Sequence, residues 1–430
     1  MGVENNGKKH VVIIGGGFAG INVIKKLDKK KFTITLIDRH NFHSFPPLFY
    51  QIASSGLDTG SISFPFRREI RHMRHVRFHM GEVKKVDTTT KTVTTQFETI
   101  SYDYLVIAAG TTNNFFGMDG LRDKVYTLKS VAEAIRLRNE ILDRLERASI
   151  EKNPERKKQL LSFVVIGAGP TGVEVAGAIG EMKRYIIPRE YPEIDKNDLK
   201  ILIVEGADRV LRTMSEDASR HAREYLGHLM VDVKLNTSML GYDNNMVKLA
   251  NGEEVYCETL IWTAGIVGEP ISGFEDSVYA KGGRFKVDSC NRVYGHDDIF
   301  ALGDIAYLES PKYPRGYPQL AQVAIQQARC LCENLNKGEF NKTFEYNDKG
   351  SMATVGRNRA VADLHKLHMY GRPAWVTWMF IHLISILGMR NKLTVLINWI
   401  WAYCTYSTSL RLLVRPTKYP YRHHWDLAKE

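Results

Sequence analysis

The stretch His10–Asp38, HVVIIGGGFAGINVIKKLDKKKFTITLID, limits the folds open to this chain more than any other. Val11–Ile14 is short, apolar and β-branched, as a buried strand should be. Gly15-x-Gly17-x-x-Gly20 follows at once, Ala19–Leu27 has helical apolar spacing, and the β-rich run Phe32–Ile37 ends on Asp38. Strand, glycine turn, helix, strand and acid in that register predict a βαβ dinucleotide-binding unit. The first glycine permits the tight turn, the second lets backbone approach a pyrophosphate, and the third lets helix and strand pack closely. The helix N-terminus offers its N–H groups and positive dipole end to phosphate. Asp38, 23 residues after Gly15, is placed to accept hydrogen bonds from a ribose.

A chain of 430 residues is too long for one simple core and suggests two or three domains. Its formal net charge of +11 implies attraction to something anionic, either nucleic acid or membrane headgroups. No nucleic-acid motif accompanies the charge, so headgroups are favoured and nucleic acid is not expected as a partner. Five scattered cysteines (257, 290, 330, 332 and 404) argue against a disulfide framework and for a reducing compartment. The nine residues ahead of the first strand leave no room for a signal or transit peptide.

After Asp38, NFHSFPPLFYQIASSGLDTGSISFPF reads as a long packed loop of functional type. Arg67–His79 carries five arginines and three histidines. His72, His75 and His79 could share a helical face as metal ligands, but the segment reads more simply as solvated and basic, leading into a strand. Strands are expected at Val83–Asp87, Lys91–Gln96 and Tyr102–Gly110, and a helix at Ser130–Ala148. The charged EKNPERKKQ that follows reads as an exposed loop or domain boundary.

At Phe163 the opening pattern repeats: strand Phe163–Ile166, Gly167-x-Gly169-x-x-Gly172, helix Val173–Met182, strand Ile201–Val204, then Glu205. An acid at that strand end favours NADH, whose 2′-hydroxyl it can bond, although Arg209 and Arg212 lie close. Two such units imply two dinucleotides, and the chemistry open to such a pair is hydride transfer from a nicotinamide to a flavin.

Strand Glu258–Trp262 then runs into Thr263-Ala264-Gly265-Ile266, and Ile299-Phe300-Ala301-Leu302-Gly303-Asp304 follows. The first glycine motif, YLVIAAG ending in Gly110, the second glycine motif, WTAGI and IFALGD occur in that order over roughly residues 10–335. Together they resemble the two-dinucleotide-binding flavoprotein disulfide reductase superfamily. The resemblance implies FAD held by the first motif and the Gly303-Asp304 turn, with a nicotinamide held by the second. Asp38 would then meet the adenosine ribose and Asp304 the ribityl chain, and Gly110 and Gly265 are further cofactor-binding candidates.

No cysteine precedes Cys257, so the redox Cys-x4-Cys of the disulfide reductases is excluded. Cys257 and Cys290 sit in no motif suggestive of a sulfide:quinone enzyme. A helix is instead expected at Pro318–Lys337, with Pro318 at its first position and Gln319, Gln322 and Gln326 along one face. Its AQVAIQQ segment resembles the AQxAxQ motif of type II NADH:quinone oxidoreductases. That resemblance implies that Ala321 and Gln322 touch FAD and that the glutamines border a quinone channel. Glu174 resembles a family glutamate near flavin and nicotinamide, able to steer a proton during quinone reduction. Pro46 and Pro47 are expected to shape the loop along the flavin.

From Ala374 two charge-free apolar runs, AWVTWMFIHLISILGM and LTVLINWIWAYCTYSTSL, flank Arg390–Lys392. In the second, Asn391, Thr394, Asn398, Thr405 and Ser409 project within a narrow arc. Trp399, Trp401, Tyr403 and Tyr406 suit a headgroup interface, and Arg411, Arg415, Lys418 and Arg422 are placed to meet anionic lipid. A helical hairpin lying in one leaflet is preferred to a dimer interface or a transmembrane hairpin.

The sequence thus predicts an α/β protein with two Rossmann-like domains and a C-terminal helical membrane-anchoring region. FAD would occupy residues 1–125 and 275–345, NADH residues 126–274, and the anchor residues 346–430. The expected activity is NADH:quinone oxidoreduction without proton pumping, at a bilayer surface on the cytoplasmic face of a bacterial membrane, by a homodimer. The rivals are a sulfide:quinone or other flavin reductase and a non-catalytic NADH-sensing flavoprotein recruited to the membrane.

Overall fold

The computed structural model describes residues 7–405 and 410–414. Two parallel sheets organise it. The first runs in the order Ile299–Ala301, Tyr104–Ile107, Lys9–Ile14, Phe32–Asp38, Val76–Met80. All its neighbours are parallel, with Val11 opposite both Ile34 and Tyr104. A strand buried on both faces needs side chains of one kind throughout, which is why its central strand reads VVII rather than alternating. Val11 and Ile13 face a core shared with helices α1 (Phe18–Lys26) and, late in the chain, Ala321–Lys337. Val12 and Ile14 face a core shared with the antiparallel meander Val83–Asp87, Thr92–Thr95 and Thr99–Ser101.

The second sheet repeats this plan in the order Asp232–Lys234, Lys200–Val204, Ser162–Ile166, Thr259–Trp262, again all parallel. Phe163 and Val165 point into the core, while Val164 and Ile166 face a second meander, Met239–Asp243, Met246–Leu249 and Glu254–Tyr256. The remaining helices, in chain order, are α2 (Phe49–Ala53), α3 (Phe66–Ile70), α4 (Val131–Ile150), α5 (Pro154–Leu160), α6 (Pro170–Glu181), α7 (Ile187–Glu190), α8 (Glu216–His228), α9 (Ala321–Lys337), α10 (Arg372–Ser385) and α11 (Met389–Thr405).

Three expectations are corrected. EKNPERKKQ is not a loop: Asn153 accepts hydrogen bonds from the N–H groups of Glu155 and Arg156, Pro154 opens the helix, and α5 follows. The C-terminal region is not helical throughout, because residues 351–370 form an antiparallel sheet of Ser351–Thr354, Ala360–Leu364 and Leu367–Tyr370. Trp399 does not reach a headgroup interface. It lies on the buried face of α11 with Asn391 and Val395, and its indole N–H donates to Gln51 Oε1 at 2.8 Å. Asn391 on the same face donates to Ser63 O at 3.0 Å.

Arg411 pairs with Glu190 rather than projecting freely. Tyr406, Ser409, Arg415, Lys418 and Arg422 lie outside the described residues. Among the described residues no helix is long and apolar enough to cross a membrane.

Candidate functional site

The helices sort by how they begin. α4, α5 and α8 open on side-chain caps from Ser130, Asn153 and Ser215. α1, α6 and α9 open on Gly17, Gly169 and Leu320 without any cap, and none carries an acid in its first turn. A helix whose first N–H groups lack a side-chain acceptor is suited to an external anion. A Cβ added at Gly17 or Gly169 would meet nothing within 4 Å, so space lies open in front of both turns.

The other glycines are closed in. Gly15 has φ +97°, and a Cβ there would lie 2.4 Å from Ala108 O. At Gly20 it would lie 2.0 Å from Gly15 O. In the second unit, a Cβ on Gly167 (φ +100°) would meet Ala264 Cα at 2.8 Å, and one on Gly172 would meet Gly167 O at 2.0 Å. Thus YLVIAAG and LIWTAG play the same part, each backing the glycine turn beside it. Gly110 caps the first with φ +72°, and the Phe116 ring lies so close to Gly265 that a Cβ would meet it at 2.6 Å.

Each acid is pinned by its own turn. Asp38 accepts hydrogen bonds from Gly16 N and His40 N, both at 2.7 Å. Glu205 accepts from Ala168 N at 2.6 Å and Ala207 N at 2.8 Å. Burial pushes the Asp38 carboxyl up, partly offset by its two N–H donors. Arg209 is engaged by the carbonyls of Arg212 and Met214 and by Glu216, so it does not aim at a ribose phosphate.

Asp304 follows strand Ile299–Ala301, at the edge of the first sheet. Burial raises its pKa, opposed by Lys129 and then Arg284. Among the described residues no hydrogen bond reaches its carboxylate, so polyol hydroxyls would supply what it lacks. Lys129 Nζ donates to Thr111 Oγ1 at 2.8 Å, and its own pKa is lowered by burial. Arg284 donates to the carbonyls of Ala306 and Tyr317. With the open phosphate turn at Gly17 and the pinned Asp38, these residues fit FAD.

The start of α9 differs from expectation. The helix begins at Ala321, so Pro318 is not its first residue and Gln319 lies ahead of it. Gln319 Nε2 instead donates to Asp304 O at 3.0 Å, tying the segment to the Gly303-Asp304 turn. Gln327, which the motif did not single out, accepts from Gly303 N at 2.7 Å. Gln322 bonds Gly350 O and Lys349 N, and Gln326 bonds both polar backbone groups of Asn347. Gln319 therefore does not share the helical face expected of the three glutamines. Two of them clamp the segment leading into the C-terminal sheet.

That sheet reaches Glu174. The side chain is buried in α6, burial holds its carboxyl well above the usual carboxylate range, and the Thr354 N–H partly offsets this. Tyr50 of α2 is likewise buried, its hydroxyl receiving Gln51 Nε2 at 2.8 Å. Beside them, a cavity of 160 Å³ lies between α2, α6, α10 and α11, lined by Tyr50, Glu181, Trp375, Trp378, Met379 and Trp399. His43 was also not singled out by the sequence. It is buried and bonds Gly16 O through Nδ1 at 2.9 Å, fixing the first turn from strand Phe42–Ser44, which pairs with Ser63–Pro65 where a loop was expected.

Residues 9–328 match the pyridine nucleotide-disulphide oxidoreductase family, and residues 349–405 match the NDH2 C-terminal domain. A type II NADH:quinone oxidoreductase of Mycobacterium tuberculosis is 33% identical over 413 residues, which cover 91% of this chain and 87% of the relative. One from Staphylococcus haemolyticus is 28% identical over 380 residues, covering 85% and 92%. Among solved structures, NDH2 from Plasmodium falciparum in complex with NADH shares the fold with a TM-score of 0.87 at 22% identity, covering 95% of this chain and 100% of that one. The sulfide:quinone oxidoreductase of Aquifex aeolicus superposes less closely, with a TM-score of 0.71 at 20% identity over 89% and 92%. The chain belongs to the type II NADH:quinone oxidoreductase family of the pyridine nucleotide-disulphide oxidoreductases.

Proposed function

We infer that this chain oxidises NADH and passes two electrons by way of FAD to a membrane quinone, without translocating protons. The observation that carries the reading is the duplicated pair of pinned acids on open phosphate turns, with only the first unit completed by Asp304 and α9. FAD, when bound, supplies a two-electron carrier that can accept hydride. The chain's own residues do the rest. Asp38, Gly15, Gly17, Gly20, Gly110, Asp304, Ala321 and Gln322 border the FAD site formed by residues 1–125 and 275–345. Gly167, Gly169, Gly172, Glu205 and Gly265 hold and orient NADH within residues 126–274. Glu174 steers a proton during quinone reduction. Gln319, Gln322 and Gln326 fix the backbone on which that geometry rests.

The thiols support this reading over a sulfide enzyme. Cys257, Cys290, Cys330 and Cys332 are buried, and desolvation raises the pKa of Cys257 to about 12, Cys330 to about 11 and Cys332 to about 12. Protonated buried thiols are poor nucleophiles.

The quinone is assigned to the aromatic cavity beside Tyr50 and Glu181. Around it, α10 and α11 turn Val376, Phe380, Ile384, Leu393, Ile397 and Trp401 to the outside. Such a face suits helices lying in one leaflet, so residues 346–430 serve as a peripheral anchor on the cytoplasmic side, where NADH is available. A homodimer is part of the proposal, and sedimentation of detergent-free protein checks it. The activity is tested by steady-state NADH oxidation with soluble ubiquinone and menaquinone analogues and with ferricyanide. Quinone-dependent turnover supports the reading, and turnover with ferricyanide alone overturns it.

A further inference from the structure

The basic segment after the aromatic loop has no part in the reaction as derived, yet it lies beside the C-terminal hairpin. Phe64 joins the two. A Cβ added at Gly388, in the turn between α10 and α11, would lie 2.4 Å from the Phe64 ring, and the Arg68 guanidinium sits 5.6 Å over that same ring. Asn391 Nδ2 bonds Ser63 O, next in sequence. Leu387, just before Gly388, packs against the first domain's core.

Around this joint, charge and apolar surface adjoin. Arg67, Arg68, Arg71 and Arg74 are exposed, and among the described residues none of them forms an ion pair. Glu69, the acid of α3, is instead paired with Lys25 at 2.7 Å. Across the joint, Arg390 is exposed as well, and Met389 (71% exposed) forms the apolar tip of the turn. The outer faces of the two helices continue from it through Phe380 (62%) and Ile397 (63%). Unpaired arginines bordering exposed large apolar side chains match a surface that is apolar within and anionic at its rim.

We propose that the FAD-binding domain itself joins the membrane contact, with Arg67 and Arg68 of α3 gripping anionic lipid headgroups at the edge of the hairpin's apolar face. The inference rests on the peripheral-anchor reading but is separable from it. Arg67 lies over the Phe78 ring and Arg68 over Phe64, so both side chains are braced at the surface. The occupant is an anionic bilayer, because arginines without ion pairs on both sides of the Phe64 joint border the exposed apolar faces of two helices, on a chain of net charge +11.

The test is flotation of the full-length FAD-loaded protein with phosphatidylcholine vesicles, with and without phosphatidylglycerol. R67Q/R68Q is compared with F380S/I397S, and melting temperature and bound flavin verify folding of each. The arginine variant should lose about thirtyfold in affinity for the anionic vesicles, as expected for two basic contacts, and nothing on the zwitterionic ones. The apolar variant should detach from both. Unchanged binding of R67Q/R68Q to anionic vesicles, with F380S/I397S detached, overturns the rim and leaves the anchor standing. If F380S/I397S keeps its vesicle binding but loses self-association in sedimentation, the face is a contact between copies and both readings fail.

Discussion

The two nucleotide units are built to one pattern and end in different surroundings. In both, a strand runs into a glycine at positive φ, an uncapped helix begins, and the next strand ends on an acid held by two backbone N–H groups. The first unit is then enclosed. His43 fixes its turn, Asp304 closes its sheet edge with Lys129 and Arg284 nearby, and α9 lies against it. The second unit keeps Phe116 over Gly265 and Arg209 turned aside, with no equivalent of Asp304 among the described residues. The local pattern makes a dinucleotide site. What surrounds it makes the difference between a resident cofactor and a visiting substrate.

The strongest way to break that contrast is to insert one methyl group in each unit. Gly20→Ala forces a Cβ to 2.0 Å from Gly15 O, and Gly172→Ala does the same against Gly167 O. Each should cost about 3 kcal/mol or more locally, since backbone rather than a flexible side chain must move. G20A should purify without flavin. G172A should keep a normal flavin spectrum but fail to be bleached by NADH, and loss of flavin from both variants would erase the distinction.

Glu174 sharpens the contrast from the junction. Glu174→Gln should lower quinone-dependent kcat by about a hundredfold, the scale of a lost proton donor, while ferricyanide reduction is little changed. Its pH dependence has a definite sign. A buried carboxyl whose pKa is raised favours the fold fully below its unfolded value of about 4.5 and loses that contribution as pH rises through the folded value. E174Q should therefore gain in relative Tm from pH 5 to 9, and a gain on acidification would contradict the assignment. Next in size, Asp304→Ala should weaken FAD binding about tenfold to a hundredfold, read by flavin retained on dilution. The smallest effect is expected from Glu205→Ala: about a fivefold rise in KM for NADH, with less change for NADPH and none in flavin content.

The βαβ units were legible because several residue types must coincide in register, so chance alternatives are few. The misreadings came where one local signal stood for a tertiary choice. Pro318 is a good helix opener, but Leu320 is extended and Gln319 is tied to the Asp304 carbonyl, so the helix starts three residues later. The charges of EKNPERKKQ obscured the Asn153-Pro154 cap, a genuine helix-start signal. Projection of α11 found its polar arc but not which side meets protein, so Trp399 was placed outward while the fold uses it against Gln51. Lys129, Arg284 and His43 had no motif at all. They come to the proposed FAD site from a linker, a distant strand and the short strand Phe42–Ser44, and only the fold brings them together.

The central claim is that the first unit's cofactor stands between NADH and quinone. Anaerobic rapid mixing of the FAD-loaded protein with NADH, followed by a quinone analogue, tests it directly through the flavin absorbance. The account predicts bleaching by NADH and recovery on adding quinone, each at least as fast as steady-state turnover. Bleached flavin that ferricyanide reoxidises and quinone does not would contradict it.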